Sequence, residues 1–383
     1  MQPPERNILS IQALRGIAAI LVVFCHCMQY ISIFLPVQME RYFGYCFGRF
    51  GVDIFFVISG FIMVYICKNN FGQVSAVGPF LLKRILRIFP MYWVTTLVVL
   101  TIIIPSGLYA QAMLKEQQVV VSAAKNINYV IENFLLIPPH YLSNNAIPII
   151  PVAWTLFFEM FFYYTFGLLL ILNRKLYLPA LCFIFVSLIL LKPHLLHFHL
   201  TDKIYPYINM YGNDIILEFI FGCFIAEQYL ARKMLTTKVA TLMVILSGLA
   251  IILSYHGNFF PIASSIQALQ YGVPSAFIVF GILSLEANNA IKIPDFLVRL
   301  GDSSYSIYLT HLSIFLVILI ALLKQTERYI HLSGNLAVFI SWILCIFLGY
   351  LSFNYVEKPI TKWLKRSTNK NKVLPAVKQL NEA

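Results

Sequence analysis

The sequence is poor in charge. Only 11% of its 383 residues are Asp, Glu, Lys or Arg and 60% are apolar, whereas ordinary soluble domains carry about 25% charged residues. With a mean hydropathy of +0.78, the chain lacks the polar side chains to cover a water-facing surface. That excludes a soluble enzyme, a disordered regulator and a fibrous protein. Paired cysteines are lacking too: Cys25, Cys27, Cys46, Cys67, Cys182, Cys223 and Cys345 are odd in number, lie mostly in apolar runs and form no CxxC. They read as small core residues rather than as a disulfide framework or a zinc site. No P-loop, GxSxG, HExxH or Rossmann glycine pattern occurs in a fitting context. The first apolar run carries Arg15 and flows into Pro36 without a convincing cleavage site, so it is not a removed signal peptide. No internal repeat is visible, which counts against a transporter built from duplicated halves.

What the sequence has is long apolar runs. A helix needs about 20 apolar residues to cross the hydrocarbon core, and ten runs approach that length: 11–35, 51–67, 88–105, 152–172, 177–192, 213–230, 239–255, 270–286, 304–323 and 334–356. The expected fold is an all-α polytopic membrane protein of about ten spans. Residues 1–360 form its membrane domain, and 361–383 form a basic cytoplasmic tail. Ten spans put both termini on one side. If that side is the cytoplasm, twenty of the 28 Lys and Arg residues fall there, as the positive-inside rule requires. The net charge of +12 then reads as topology and not as a nucleic-acid surface. The longest external connection is 106–150. Its stretch 115–132 looks amphipathic, and it has enough apolar content to pack over the outer face.

Ionisable residues at membrane depth are expensive, at least about 2.5–3.5 kcal/mol each on insertion scales, and are therefore functional candidates. Arg15 and His26 are 11 residues apart in the first run, three turns plus about 20°, so they share one stripe about 16 Å apart. With Arg15 at the inner interface, His26 lies near mid-membrane. Asp53 is expected just inside the outer face, where a helix N-terminal acid is the plainer reading. Glu159 is expected about two turns deep from the outer face, with Tyr163 on the same helix face. His311 is expected near mid-depth in the ninth run. Two imidazoles and a carboxylate at one level would make an acid/base site. At the inner face, Lys83, Arg84 and Arg87 precede Ile88-Phe89-Pro90. Lys83 and Arg87 are four apart on one face, and arginine forks suit phosphate oxygens; plain topology is the alternative. His194, His197 and His199 lie in an external loop without a paired carboxylate or cysteine, so no metal site is expected.

These residues resemble the family-three membrane acyltransferases, the bacterial O-antigen and exopolysaccharide O-acetyltransferases, from about Asn7 to Lys365. The basic-x10-His pattern, here Arg15 and His26, is the most specific element. The strings Gly51 to Phe61, Lys83 to Trp93, Trp154 to Glu159, Tyr305 to His311 and Glu357-Lys358-Pro359 follow in the family's order. The resemblance implies ten core helices in the bacterial inner membrane, cytosolic acetyl-CoA or a related acyl-CoA as donor, and a surface or lipid-linked polysaccharide as acceptor. Some relatives carry an extra helix and a C-terminal SGNH-type domain. This chain ends about 25 residues after the last run, so transfer is expected to finish within the membrane unit or on a separate glycan-assembly partner.

On this reading Arg15, Lys83, Arg84 and Arg87 hold the phosphates of acyl-CoA. His26 acts as general base or brief acyl carrier, and Glu159, Asp53 or His311 orients it or binds the acceptor. No metal is required. The rivals are a transporter or flippase for a lipid-linked sugar, which would release no CoA, and an assembly scaffold, which needs no buried His or Glu.

Overall fold

The computed structural model describes residues 8–39, 48–109, 120–139, 147–197, 204–256, 266–326, 333–364 and 366, and those residues hold helices and turns with no strand. In chain order the helices are α1 (Leu9–Ile31), α2 (Gly51–Cys67), α3 (Val77–Val98), α4 (Ile127–Phe134), α5 (Trp154–Leu169), α6 (Arg174–His197) and α7 (Tyr205–Tyr211). They continue with α8 (Leu217–Leu230), α9 (Thr237–His256), α10 (Val273–Ala287), α11 (Asp295–Thr310), α12 (Val317–Thr326) and α13 (Gly334–Ser352).

Eight helical stretches among the described residues are long and apolar enough to cross a membrane, and α7 with the Asp214–Leu230 stretch, bent by 50°, makes a ninth. The 17-residue α2 is a shorter apolar helix. Together these account one for one for the ten runs in the sequence. The tail beyond 360 lies mostly outside the described residues, as do 110–119 and 140–146 of the long connection.

Helix α1 runs through the centre of the bundle, packed on α2, α11 and α13, and α2 is packed most heavily on α8. Small residues make these crossings close, as they do wherever helices must associate without water to drive them. A Cβ on Gly60 of α2 would strike the Phe219 carbonyl of α8, and one on Gly222 would strike Val57 O. On the other side of α1, Gly16 lies against Gly301 of α11, where a Cβ would come within 2.9 Å of the Gly301 backbone nitrogen. Helices α6 and α9 lie at the rim with outward Leu, Ile and Phe side chains such as Phe183, Leu190, Leu242 and Ile245. That is the surface a bilayer would cover.

Part of the long connection folds back on the helices. Asn126 caps α4 by accepting from the Asn128 N–H. Tyr92 and Trp93 of α3 donate to the carbonyls of Asn133 and Phe134, each at 2.8 Å. The approach to α5 is buried as well, through Ile149, Ile150, Val152 and Ala153, so α5 starts inside the protein.

Among the described residues four π-turns interrupt the helices, at Val99–Ile103, Ala268–Gly272, His311–Leu316 and Phe353–Glu357. Such turns re-aim side chains and gather at functional sites. Two of them deliver His311 and Glu357.

Candidate active site

His26 of α1 and His311 at the end of α11 meet. Their Nδ1 and Nε2 atoms are 2.8 Å apart, with rings stacked at 5.0 Å between centroids. His311 is fully buried, and its Nδ1 lies 3.1 Å from the Ile307 carbonyl. A carbonyl oxygen only accepts, so His311 Nδ1 carries the proton there. In the neutral pair His311 Nε2 is then an acceptor, His26 Nδ1–H donates to it, and His26 Nε2 is left with its lone pair. One ring sets the tautomer of the other, and His26 Nε2 is left able to accept a proton. Of the groups expected to orient His26, the structure brings only His311 to it.

Glu159 lies elsewhere. It lines a cavity of about 120 Å³ with Arg15, Arg84 and Arg87, and it accepts a hydrogen bond from the Tyr163 hydroxyl. The expected outer-half position next to the histidines is therefore corrected. Thr155, at the start of α5, bonds the Tyr308 hydroxyl at 2.9 Å, and Tyr308 is less than one turn from His311. Since α5 begins at the level of Tyr308, the four residues from Thr155 to Glu159 carry it about 6 Å further, toward Arg15.

Three guanidinium groups and the Glu159 carboxyl line this cavity, and a second carboxyl, Glu357, stands behind Arg87. Arg87 pairs with Glu357 at 3.3 Å, and Ser306 donates to the other Glu357 oxygen at 2.6 Å. Arg84 stacks over Phe80 and Tyr163, and Arg87 over Tyr305, at 5.6–5.8 Å. Arg15 reaches Gln12 at 3.3 Å. Held by rings and acids, the forks present a net positive surface suited to phosphate. Lys83 does not join them. It is exposed on α3, because Arg84 and Arg87, three apart, take the inward face. The far end of the cavity is formed by Phe55, Thr155 and Tyr308. The Tyr308 ring stands 6.0 Å from that of His311, which in turn contacts His26; neither histidine lines the cavity itself.

Asp53 forms a third locus. It is fully buried in the first turn of α2, accepts from Gln267 Nε2 at 3.3 Å and lies beside the buried Glu218 carboxyl of α8. It has no bond to His26. Glu218, Glu357, Tyr308 and Arg49 were not singled out as site residues. For Glu357 the signal was present, a carboxylate directly after the last apolar run; for Glu218, a lone acid among aromatics, it was equally visible. His194 is exposed on α6, and His199 lies outside the described residues.

An all-α membrane bundle with a buried histidine pair near an arginine-walled cavity is consistent with an integral-membrane acyltransferase. Residues 8–358 match the family described as "Acyltransferase domain", and the chain belongs to it. The chain is similar to the exopolysaccharide production protein ExoZ of Rhizobium meliloti, with 29% identity over 82% of this chain and 90% of that protein. It is also similar to nodulation protein 10 of Rhizobium leguminosarum bv. viciae, with 28% identity over 78% of this chain and 80% of that protein. The O-acetyltransferase OatA of Staphylococcus aureus is 24% identical over 82% of this chain, which spans about half (53%) of that protein. No solved structure matches the chain.

Proposed function

We propose that the protein transfers an acetyl group from acetyl-CoA, supplied from the cytosol at the Arg15 end, to a hydroxyl of an extracytoplasmic or lipid-linked polysaccharide. The observation that carries this reading is the His26–His311 pair, which leaves one unprotonated imidazole nitrogen beyond the end of an arginine-walled cavity. Arg15, Arg84 and Arg87 bind the nucleotide phosphates at the mouth. The narrow cavity admits the pantetheine arm but not the nucleotide, and leads the thioester past Tyr308 toward His26. His26 Nε2 takes the proton of the acceptor hydroxyl as its oxygen attacks the thioester carbonyl. The C–S bond breaks, and the imidazolium returns the proton to the departing thiolate.

The names of the relatives support the acceptor class: one is an exopolysaccharide production protein and another an O-acetyltransferase. The arginine cluster and the twenty-to-eight division of basic residues support a cytosolic donor side. Deleting the gene is expected to remove base-labile acetyl groups from one surface glycan, and wild type but not His26→Ala is expected to restore them. Full acetyl content on every surface glycan of the deletion strain, under conditions where the protein is made, would overturn the assignment. A purified protein that releases no CoA from acetyl-CoA would overturn the donor.

A further inference from the structure

A second cavity, of about 330 Å³, opens on the opposite face of α5 and plays no part in the reading above. Its polar walls are Arg49, Asn209, Asn213 and Gln267, and its aromatic wall is Trp154 with Phe158. Helix α5 is the partition. Thr155 and Glu159, four apart, face the arginine cavity, while Trp154 and Phe158, also four apart, face this one. Phe56 of α2 thickens the partition, with its ring 5.8 Å from Phe158 and 6.5 Å from Trp154.

The two cavities differ in chemistry. The first concentrates guanidinium groups; the second has one, Arg49, and three side-chain amides. Amides offer both donors and acceptors, the complement of a hydroxyl-rich ligand, and an indole face covers the C–H side of a sugar ring while its N–H remains polar. The amides are also oriented in advance. The Gln267 NH₂ group is taken by Asp53, which leaves the carbonyl of that amide to accept. The Asn213 carbonyl is taken by the Ile215 N–H at 3.1 Å, which leaves its NH₂ group to donate. The buried Asp53 thereby acquires a structural task, holding a cavity amide. The volume lies within the roughly 300–1,000 Å³ of small-molecule sites. Arg49 at the cavity is also an electrostatic neighbour of His26, so the cavity lies toward the base.

We infer that this amide-lined cavity is the acceptor subsite, taking a neutral or singly acidic sugar residue with Trp154 as its stacking platform and Asn209, Asn213 and Gln267 as its hydroxyl partners. The inference rests on the acyl-transfer reading and adds to it a second, separate substrate entrance.

The test uses the full-length chain purified in detergent, radiolabelled acetyl-CoA, and as acceptor the cell's own extracellular polysaccharide after base deacetylation. Trp154→Ala and Asn209→Ala are each expected to raise the acceptor KM about tenfold, the effect of one lost contact of ordinary strength. The donor KM is expected to stay within about twofold, and Trp154→Phe to recover part of the loss. An unchanged donor KM also shows that the variants are folded. Acceptor KM values equal to wild type, or donor and acceptor KM rising together, would overturn the subsite while leaving the acyl-transfer reading intact. Failure of the wild-type chain to acetylate the polysaccharide, despite CoA release, would overturn the acceptor class on which the subsite rests.

Discussion

Although 285 residues separate them, His26 and His311 stand ring to ring, 2.8 Å apart through Nδ1 and Nε2. Each lies ten residues beyond a glycine, and those glycines, Gly16 and Gly301, are themselves in contact. Helices α1 and α11 run side by side from that contact, and an equal rise of about 15 Å brings the two imidazoles to one level.

The histidines are expected to separate by role. His26→Ala should lower kcat by about 10²–10⁴-fold, the usual weight of a general base, while acetyl-CoA binding measured by calorimetry is retained. His311→Ala removes only the group that fixes the tautomer and should lower kcat about tenfold. His311→Gln keeps an acceptor near the Nε2 position and should recover part of that loss. Equal defects in all three variants would contradict the division.

The glycine contact sets the register. A Cβ on Gly301 would run into the Gln12 carbonyl, so Gly301→Ala must push α1 and α11 apart. The expected cost is about 1–3 kcal/mol of stability, read as a lower melting temperature, together with a loss of kcat larger than the fall in folded protein explains. Gly78 of α3 has open space around it. Gly78→Ala should leave activity unchanged and stability equal or up by about 0.5–1 kcal/mol.

Donor affinity is expected to follow the cavity and not the basic string. Arg15→Ala, Arg84→Ala and Arg87→Ala should each raise the acetyl-CoA KM roughly 10–100-fold, as loss of a charge-assisted bond does. Lysine in place of Arg15 should restore only part, because the fork is lost. Lys83→Ala, on the exposed face, should stay within about twofold. A Lys83 effect as large as that of Arg84 would mean that the donor binds outside the cavity.

Orientation is checked by reporter fusions. Fusions at Lys68, Arg232 and the C-terminus should read cytoplasmic, and fusions near Asn126 and His197 external. A cytoplasmic signal from Asn126 would reverse the donor and acceptor sides.

The helices were legible because an apolar run long enough to span has few other uses. Even the short Gly51–Cys67 stretch stood out by its hydropathy. The stripe joining Arg15 to His26 was legible for the same reason, being local to one helix. What failed was depth wherever a helix does not begin at the membrane surface. Spacing from an outer start puts Glu159 high, whereas the buried Ile149–Ala153 approach lowers the first turn of α5 to the level of Tyr308. Pairing across helices was hidden too. Nothing near His26 announces His311, since their meeting depends on two glycines in contact. Lys83 and Arg87 share a face by spacing alone, but a face does not say which side of the helix is covered, and Arg84 with Arg87 turned out to be the inward pair.

The row of ring nitrogens ends at the Ile307 carbonyl, a group that accepts a hydrogen bond but takes up no proton. On the proposed mechanism, hydrogen removed from an acceptor hydroxyl on the Trp154 side of α5 is therefore not passed along the row, and it would leave with the thiolate on the Arg15 side. In the proposed reaction each turnover exchanges one acyl group for one hydrogen between the two faces of the bundle, and no net charge crosses. A transmembrane voltage acts on charge movement with about 2.3 kcal/mol per elementary charge per 100 mV, and here it finds none to act on. The overall driving force of the reaction would then be the same in an energised and a depolarised membrane, supplied by the thioester alone.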